Sequence, residues 1–264
     1  MLESAINQAS GLAGMASPSA PRMMAMVSHG DTHSELPMLW RLCWALTEFG
    51  YALTVLDATT QESAANPGLE QLLDNALWRA PVAEDGPAWN VIPAACGVQA
   101  LCEEPGARAH KLAHLGQLFA HESVVILYGK SEWLVPLMAD TGTEPLLALS
   151  RSKTSLLSSY VALKRLLLQG RLEPNVVNWA RTSADANDAA TASLTKCAKD
   201  FLSYDVNALH IASPTEDDPT SGAIQRLALR LMERAIPLHT PNVAMPLSRP
   251  SARLASALAM AGAH

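Results

Sequence analysis

The chain has 264 residues, 49% of them hydrophobic and 17% charged, with a net charge of −6 and an isoelectric point near 5.7. That composition suits a folded protein with a sizeable core, and its acidic balance argues against a broad nucleic-acid footprint, which needs clustered Lys and Arg. No window approaches the roughly 18 apolar residues of a membrane span, the N-terminus lacks the basic-then-apolar order of a signal peptide, and four cysteines without a C-x-x-C pair read as reduced thiols of a cytoplasmic protein.

Residues Met1 to Met15 place Leu2, Ile6, Ala9 and Leu12 on a narrow helical stripe. The small-residue, proline-containing run Gly14 to Arg22 then reads as a linker. The chain thus divides into an N-terminal helix and linker over 1–22, a main domain over 23–236 and a proline-rich tail over 237–264. Met23 to Val27 has the length and flanks of a buried strand. The polar turn Ser28 to Ser34 leads into an apolar helix from Leu36 to Phe49, with Pro37 in its first turn, where a missing N–H is tolerated.

A second strand, Ala52 to Leu56, ends on Asp57. Asn66-Pro67-Gly68 turns the chain into a short helix over Leu69 to Leu77. Trp89 to Ala94 is a third strand, Ala107 to Ala120 a helix, and Ser123 to Leu127 a fourth strand. A short helix, Leu134 to Met138, precedes the fifth strand, Leu146 to Leu149. From Thr154 onward Leu156, Tyr160, Leu163 and Leu167 recur at helical spacing up to Gly170. Pro174 to Trp179 and Asn207 to Ala212 are the sixth and seventh strands, separated by the helical spacing of Ala190, Leu194, Cys197 and Phe201. A helix over Ala223 to Ala235 follows, then irregular chain and an alanine-rich helix, Ser251 to Ala261. Strands alternating with helices predict an α/β fold, a doubly wound and mainly parallel sheet with helices on both faces.

The segment from Met23 to Leu46 is strand, loop and helix, the arrangement that seats a phosphate on backbone N–H groups at a helix N-terminus. Such a loop needs glycines, a lysine against the phosphate and a hydroxyl for magnesium. This one has a single glycine, Gly30, and no lysine; Glu35 and Leu36 stand where the lysine and hydroxyl belong.

The order of motifs resembles the MinD/ParA-like deviant P-loop ATPases, and within them the FlhG regulators of flagellar number. The likeness is carried by LSRSKTSLLSSYVALKRL (Leu149 to Leu166), NVVNWARTSADANDA (Asn175 to Ala189) and SLTKCAKDFLSYDVNALHIASPTEDD (Ser193 to Asp218), and spans about residues 5 to 235. INQASGLAGM (Ile6 to Met15) is similar to the D-Q-A-x-x-L-R segment with which FlhG proteins engage the FlhF GTPase. The resemblance implies a P-loop NTPase, MinD-like three-layer fold. It also implies a partner segment in which Ala5, Ile6, Gln8, Ala9 and Leu12 contact a FlhF-type GTPase, although Asn7 and Ala13 replace its two charged residues.

Against the family pattern K-G-G-x-G-K-[ST], the signature lysine is Gly30, the phosphate lysine Glu35 and the magnesium hydroxyl Leu36. Asp57 survives as a weak catalytic candidate, Tyr128 replaces the aspartate of the Walker-B-like strand, and Asn178 matches the adenine-reading asparagine. These positions predict a pseudo-ATPase without ATP-driven dimerisation: ATP and magnesium would be cofactors only if the degenerate loop still binds. The expected activity is binding, to a FlhF-type GTPase and to a second component such as a flagellar switch protein or transcription regulator. The alternatives are a residual ATPase using Asp57, and a MinD-like adaptor in cellulose secretion or pilus localisation. His29, Asp31, His33 and Glu35 alternate as metal ligands do, with a solvated polar loop as the competing reading; no metal is expected. The alanine-rich tail is short of the bulky side chains that hold a bilayer, so membrane binding is expected to be weak or absent.

Overall fold

The computed structural model describes residues 20–74, 89–180, 189–212 and 222–238. The N-terminal segment, the tail after 238 and the acidic loop at 215–221 lie outside them. Sixteen regular elements follow in chain order among the described residues: β1 (Arg22–Ser28), α1 (Thr32–Glu48), β2 (Leu53–Asp57), α2 (Leu69–Asp74), β3 (Asn90–Pro93), α3 (Ala95–Glu103), α4 (Arg108–Gly116), β4 (Val124–Lys130), α5 (Ser131–Met138), β5 (Leu146–Leu149), α6 (Lys153–Arg165), β6 (Asn175–Ala180), α7 (Ala189–Leu202), β7 (Ala208–Ala212), α8 (Gly222–Glu233) and β8 (Ile236–Pro237). The helix α6 ends in a π-helical turn, Leu166–Gly170, which Arg171 closes in the left-handed conformation at φ 50°.

The strands form one sheet in the order β3-β2-β4-β1-β5-β6-β7, all parallel. The exception is β8, which runs antiparallel beside the first two residues of β1, where β5 has not yet begun. Side-chain alternation divides the core. Met24 and Met26 of β1 face α1 and α8, whereas Met23, Ala25 and Val27 face the layer built from α2 to α7. Burial on both faces explains why the central strands read as continuous apolar runs rather than alternating ones.

The predicted doubly wound sheet is therefore present, with several boundaries moved. The helix α1 begins at Thr32, four residues before the predicted start, so Pro37 lies inside it rather than in its first turn. β4 runs three residues past Leu127, because Val27 and Ser28 of β1 pair with Gly129 and Lys130. The helix α3 has no counterpart in the sequence reading. Its N-terminus is held from a distance: Glu62 accepts hydrogen bonds from Cys96 N (2.7 Å) and Gly97 N (2.9 Å). β8 places Ile236 and Pro237 in the sheet, where irregular chain was expected.

β1 and β4 are neighbours, yet α1 leaves β1 onto one face and α5 leaves β4 onto the other. The crevice that opens between their C-terminal ends is where parallel α/β sheets seat ligands.

Candidate functional site

The β1–α1 loop, His29 to Asp31, turns at Gly30 with φ +93°, a conformation that suits glycine. From the first turns of α1 the Glu35 side chain folds back beneath this loop and is fully buried. Its Oε1 accepts hydrogen bonds from the backbone N–H of His29 (2.9 Å) and of Asp31 (2.8 Å). Its Oε2 accepts from the hydroxyl of Tyr128 on β4. Backbone N–H groups converging at a helix N-terminus make an anion site, and here the anion is the chain's own carboxylate.

His29 fastens the loop on its other side. Its Nε2–H donates to the carbonyl of Ala148 on β5 (2.7 Å), and its Nδ1 meets the hydroxyl of Ser158 on α6 at 2.9 Å. Nε2 also lies 3.5 Å from Glu35 Oε1 and 3.3 Å from the Ser159 hydroxyl. Asp31 takes a hydrogen bond from Ser34 Oγ at 2.8 Å. Burial pushes the Asp31 carboxyl up, but the hydroxyls of Ser150, Ser155 and Ser34, together with His29, outweigh it and hold the group below its ordinary value of 3.8. The Tyr128 phenol is shifted the other way, upward, by burial first and then by the Glu35 carboxylate it donates to.

A carboxylate at the lysine position was expected to repel triphosphate oxygens. The structure adds that this carboxylate occupies the donors a phosphate would use. Among the described residues no lysine is paired with Glu35, and Leu36, at the hydroxyl position, is half-exposed and lines an apolar cavity of about 280 Å³ with Trp40 and Val91.

Asp57 ends β2 opposite Tyr128. Its Oδ1 accepts from the N–H (2.9 Å) and hydroxyl (2.6 Å) of Thr59, and its Oδ2 from the Thr60 hydroxyl (2.7 Å). Both oxygens are thus engaged in stabilising the turn after β2, the structural role open to an aspartate at a strand end. Asn178 is buried on β6; its Nδ2 donates to His210 Nδ1 at 3.4 Å, while its Oδ1 has no hydrogen-bond partner among the described residues. Gly30, Glu35 and Tyr128 come together, and Asp57 flanks them one strand away. Ala5, Ile6, Gln8, Ala9 and Leu12 lie outside the described residues.

The alternating ligand pattern of the loop does not survive folding. Helix α1 already includes His33, which is exposed, while Glu35 turns inward. Among the described residues no three His, Cys, Asp or Glu side chains converge as a metal site. Sequence reasoning named His29 only as a possible metal ligand and missed Ser158, a contact that joins residues 129 positions apart. A cavity of about 600 Å³ opens beside the loop between β1, β4 and α6, with Lys130, Ser131 and Thr59 in its wall.

No family model and no curated protein matches this chain. Solved structures do. A ParA-family ATPase from Chlorobium tepidum TLS aligns over 80% of this chain and 98% of its own, with a TM-score of 0.51 at 12% identity. Cobyrinic acid a,c-diamide synthase from Mycobacterium smegmatis, with bound ADP and magnesium, covers 84% of this chain and 100% of its own, with a TM-score of 0.52 at 15% identity. A plasmid partition protein from Borrelia burgdorferi gives 0.51 at 11% identity, over 81% and 97% of the two chains. The chain has the fold these proteins share.

Proposed function

We propose that this chain is a non-hydrolysing member of the MinD/ParA-like group that acts by binding, as an FlhG-like regulator of flagellar assembly, number or placement. The observation that supports a silent nucleotide site is the Glu35 carboxylate on the N–H groups of His29 and Asp31. For a phosphate to take its place, a buried carboxylate would have to leave three donors and enter water or face the phosphate charge, an exchange that disfavours binding. The partner reading rests on the sequence: Ile6 to Met15 carries the likeness to the segment that engages a FlhF-type GTPase, with Gln8, Ala9 and Leu12 retained. A second surface of the α/β domain would serve a flagellar switch protein or transcription regulator, in the cytoplasm.

One observation favours a second reading, a residual nucleotide-binding switch. Asn178 Oδ1 is buried without a partner at the position that reads adenine in the family the sequence resembles, and the cobyrinic acid synthase of the same fold holds ADP and magnesium. Calorimetric titration separates the two. Silence with Mg-ATP and Mg-ADP, together with heat on adding a FlhF-type GTPase in its GTP state, supports the binding module. Micromolar nucleotide affinity supports the switch and overturns our reading of the loop.

A further inference from the structure

The outward side of α1 is apolar where a surface helix is ordinarily polar. Leu36, Trp40 and Trp44, four residues apart, are 49%, 51% and 42% exposed, and Phe49 just after the helix is 38% exposed. Beside them the edge strand β3 presents Val91, 56% exposed, and Trp89 meets Trp40 edge-to-face at 4.8 Å. Between ridge and edge lies the 280 Å³ apolar cavity. Among the described residues no helix covers the sheet here, because α2 and α3 both pack on the opposite face. Two half-exposed tryptophans on one helical line, with a cavity alongside, make a surface shaped for an apolar helix.

The chain's own course indicates what covers it. Residue 20 lines one cavity with Phe49, Gly50 and Tyr51, at the foot of α1 on the face that carries the ridge. The other end leaves from beside it, since Leu238 N donates to Pro21 O at 2.7 Å, but the stretch Ser251 to Ala261 beyond it is alanine-rich, with Leu254 and Leu258 among the alanines. The 19 residues that precede residue 20 carry the stripe Leu2, Ile6, Ala9 and Leu12 and then the linker from Gly14. A helix over residues 2–13 would be about 18 Å long, against about 25 Å for α1, and the six-residue linker adds up to about 20 Å of reach. Length and origin both match the ridge.

We infer that the N-terminal segment docks along α1 in the same molecule, its stripe set on Leu36, Trp40 and Trp44, and that the segment is withheld from other partners until it is displaced. The docked segment runs in the direction of α1, with Leu12 nearest Trp44 and Leu2 nearest Leu36. The apolar face that would contact a partner is the face that contacts the ridge, so the two contacts exclude one another. This inference does not depend on which protein the segment later meets.

Tryptophan emission of the full chain tests it, since Trp40 and Trp44 are in the contact. Replacing Ile6 and Leu12 by aspartate in the full-length protein is expected to shift emission to the red and to increase quenching by acrylamide. Adding a peptide of residues 1–17 to that variant is expected to reverse both changes. Neither change is expected when Trp40 and Trp44 have been replaced by phenylalanine. Emission and quenching unchanged by the two aspartates, with no response to the peptide, would overturn the docking. So would a difference that grows with protein concentration, which would put a second copy on the ridge. Failure to bind a FlhF-type GTPase while the emission changes appear as expected would remove the partner assignment alone.

Discussion

Glu35 satisfies three donors with one carboxylate: two backbone N–H groups of the loop and the Tyr128 hydroxyl. Removing it leaves all three without that acceptor, the Tyr128 hydroxyl in a buried place and the two N–H groups in a partly buried one, and each unpaired buried polar group costs about 1–3 kcal/mol. Glu35→Ala is therefore expected to lower stability by roughly 3 kcal/mol or more, read as a fall in the urea midpoint at constant slope. Glu35→Gln keeps one acceptor oxygen and should lose less. Asp31 gives a dependence on pH. Its folded carboxyl ionises below the ordinary value of 3.8, so its contribution to stability is present above that value and disappears as pH falls below it. Asp31→Asn should flatten the acid limb of the stability profile below about pH 4 and leave the neutral region's slope unchanged, in thermal melts across pH.

At the scale of elements, close approach of backbone to backbone decides where the sequence tolerates change. A Cβ on Gly116 of α4 would stand 2.2 Å from the Leu238 carbonyl oxygen, next to β8. Gly116→Ala should push β8 away from β1 and cost on the order of 2 kcal/mol, with hydrogen exchange at Met23 and Ile236 accelerating first. The same scale shows what was readable in the sequence. β5 was legible to the residue, Leu146 to Leu149, because four buried apolar residues stand between polar or proline flanks. The helix α3 was not, because ACGVQALCE is nine residues long without a side-chain cap of its own, and the group that holds its N-terminus, Glu62, lies more than thirty residues upstream. α1 was legible as a helix but started late, since a proline suggests a first turn and Pro37 is an interior one. In the site, the missing lysine was plain from the chain, whereas the carboxylate's use of the loop's own donors was not. Which way Glu35 turns depends on Tyr128, 93 residues away and joined to it only through the β1–β4 pairing.

For the molecule as a whole, the filled loop predicts indifference to nucleotide. A ligand that binds only the folded state at 100 times its Kd stabilises it by about 2.7 kcal/mol. Millimolar Mg-ATP or Mg-ADP should leave the melting temperature of the full chain where it is, measured by scanning calorimetry; an upward shift would return the protein to the nucleotide-dependent switches.

The seat of β8 beside β1 has a consequence for the making of the protein. β1 lies inside the sheet, yet it emerges from the ribosome before all its neighbours, β4, β5 and β8, which begin at residues 124, 146 and 236. At about 5–20 residues per second, the run from β1 to β8 takes on the order of 10–40 s. Until β4 follows, about 100 residues later, Met23 to Val27 is an uncharged apolar strand with both edges unpaired, and Arg22 and Met23 still wait for β8 on one edge. Pairing across such sequence distances also slows folding once synthesis ends. The arrangement that seals the finished sheet leaves its central strand open to mispairing in the nascent chain.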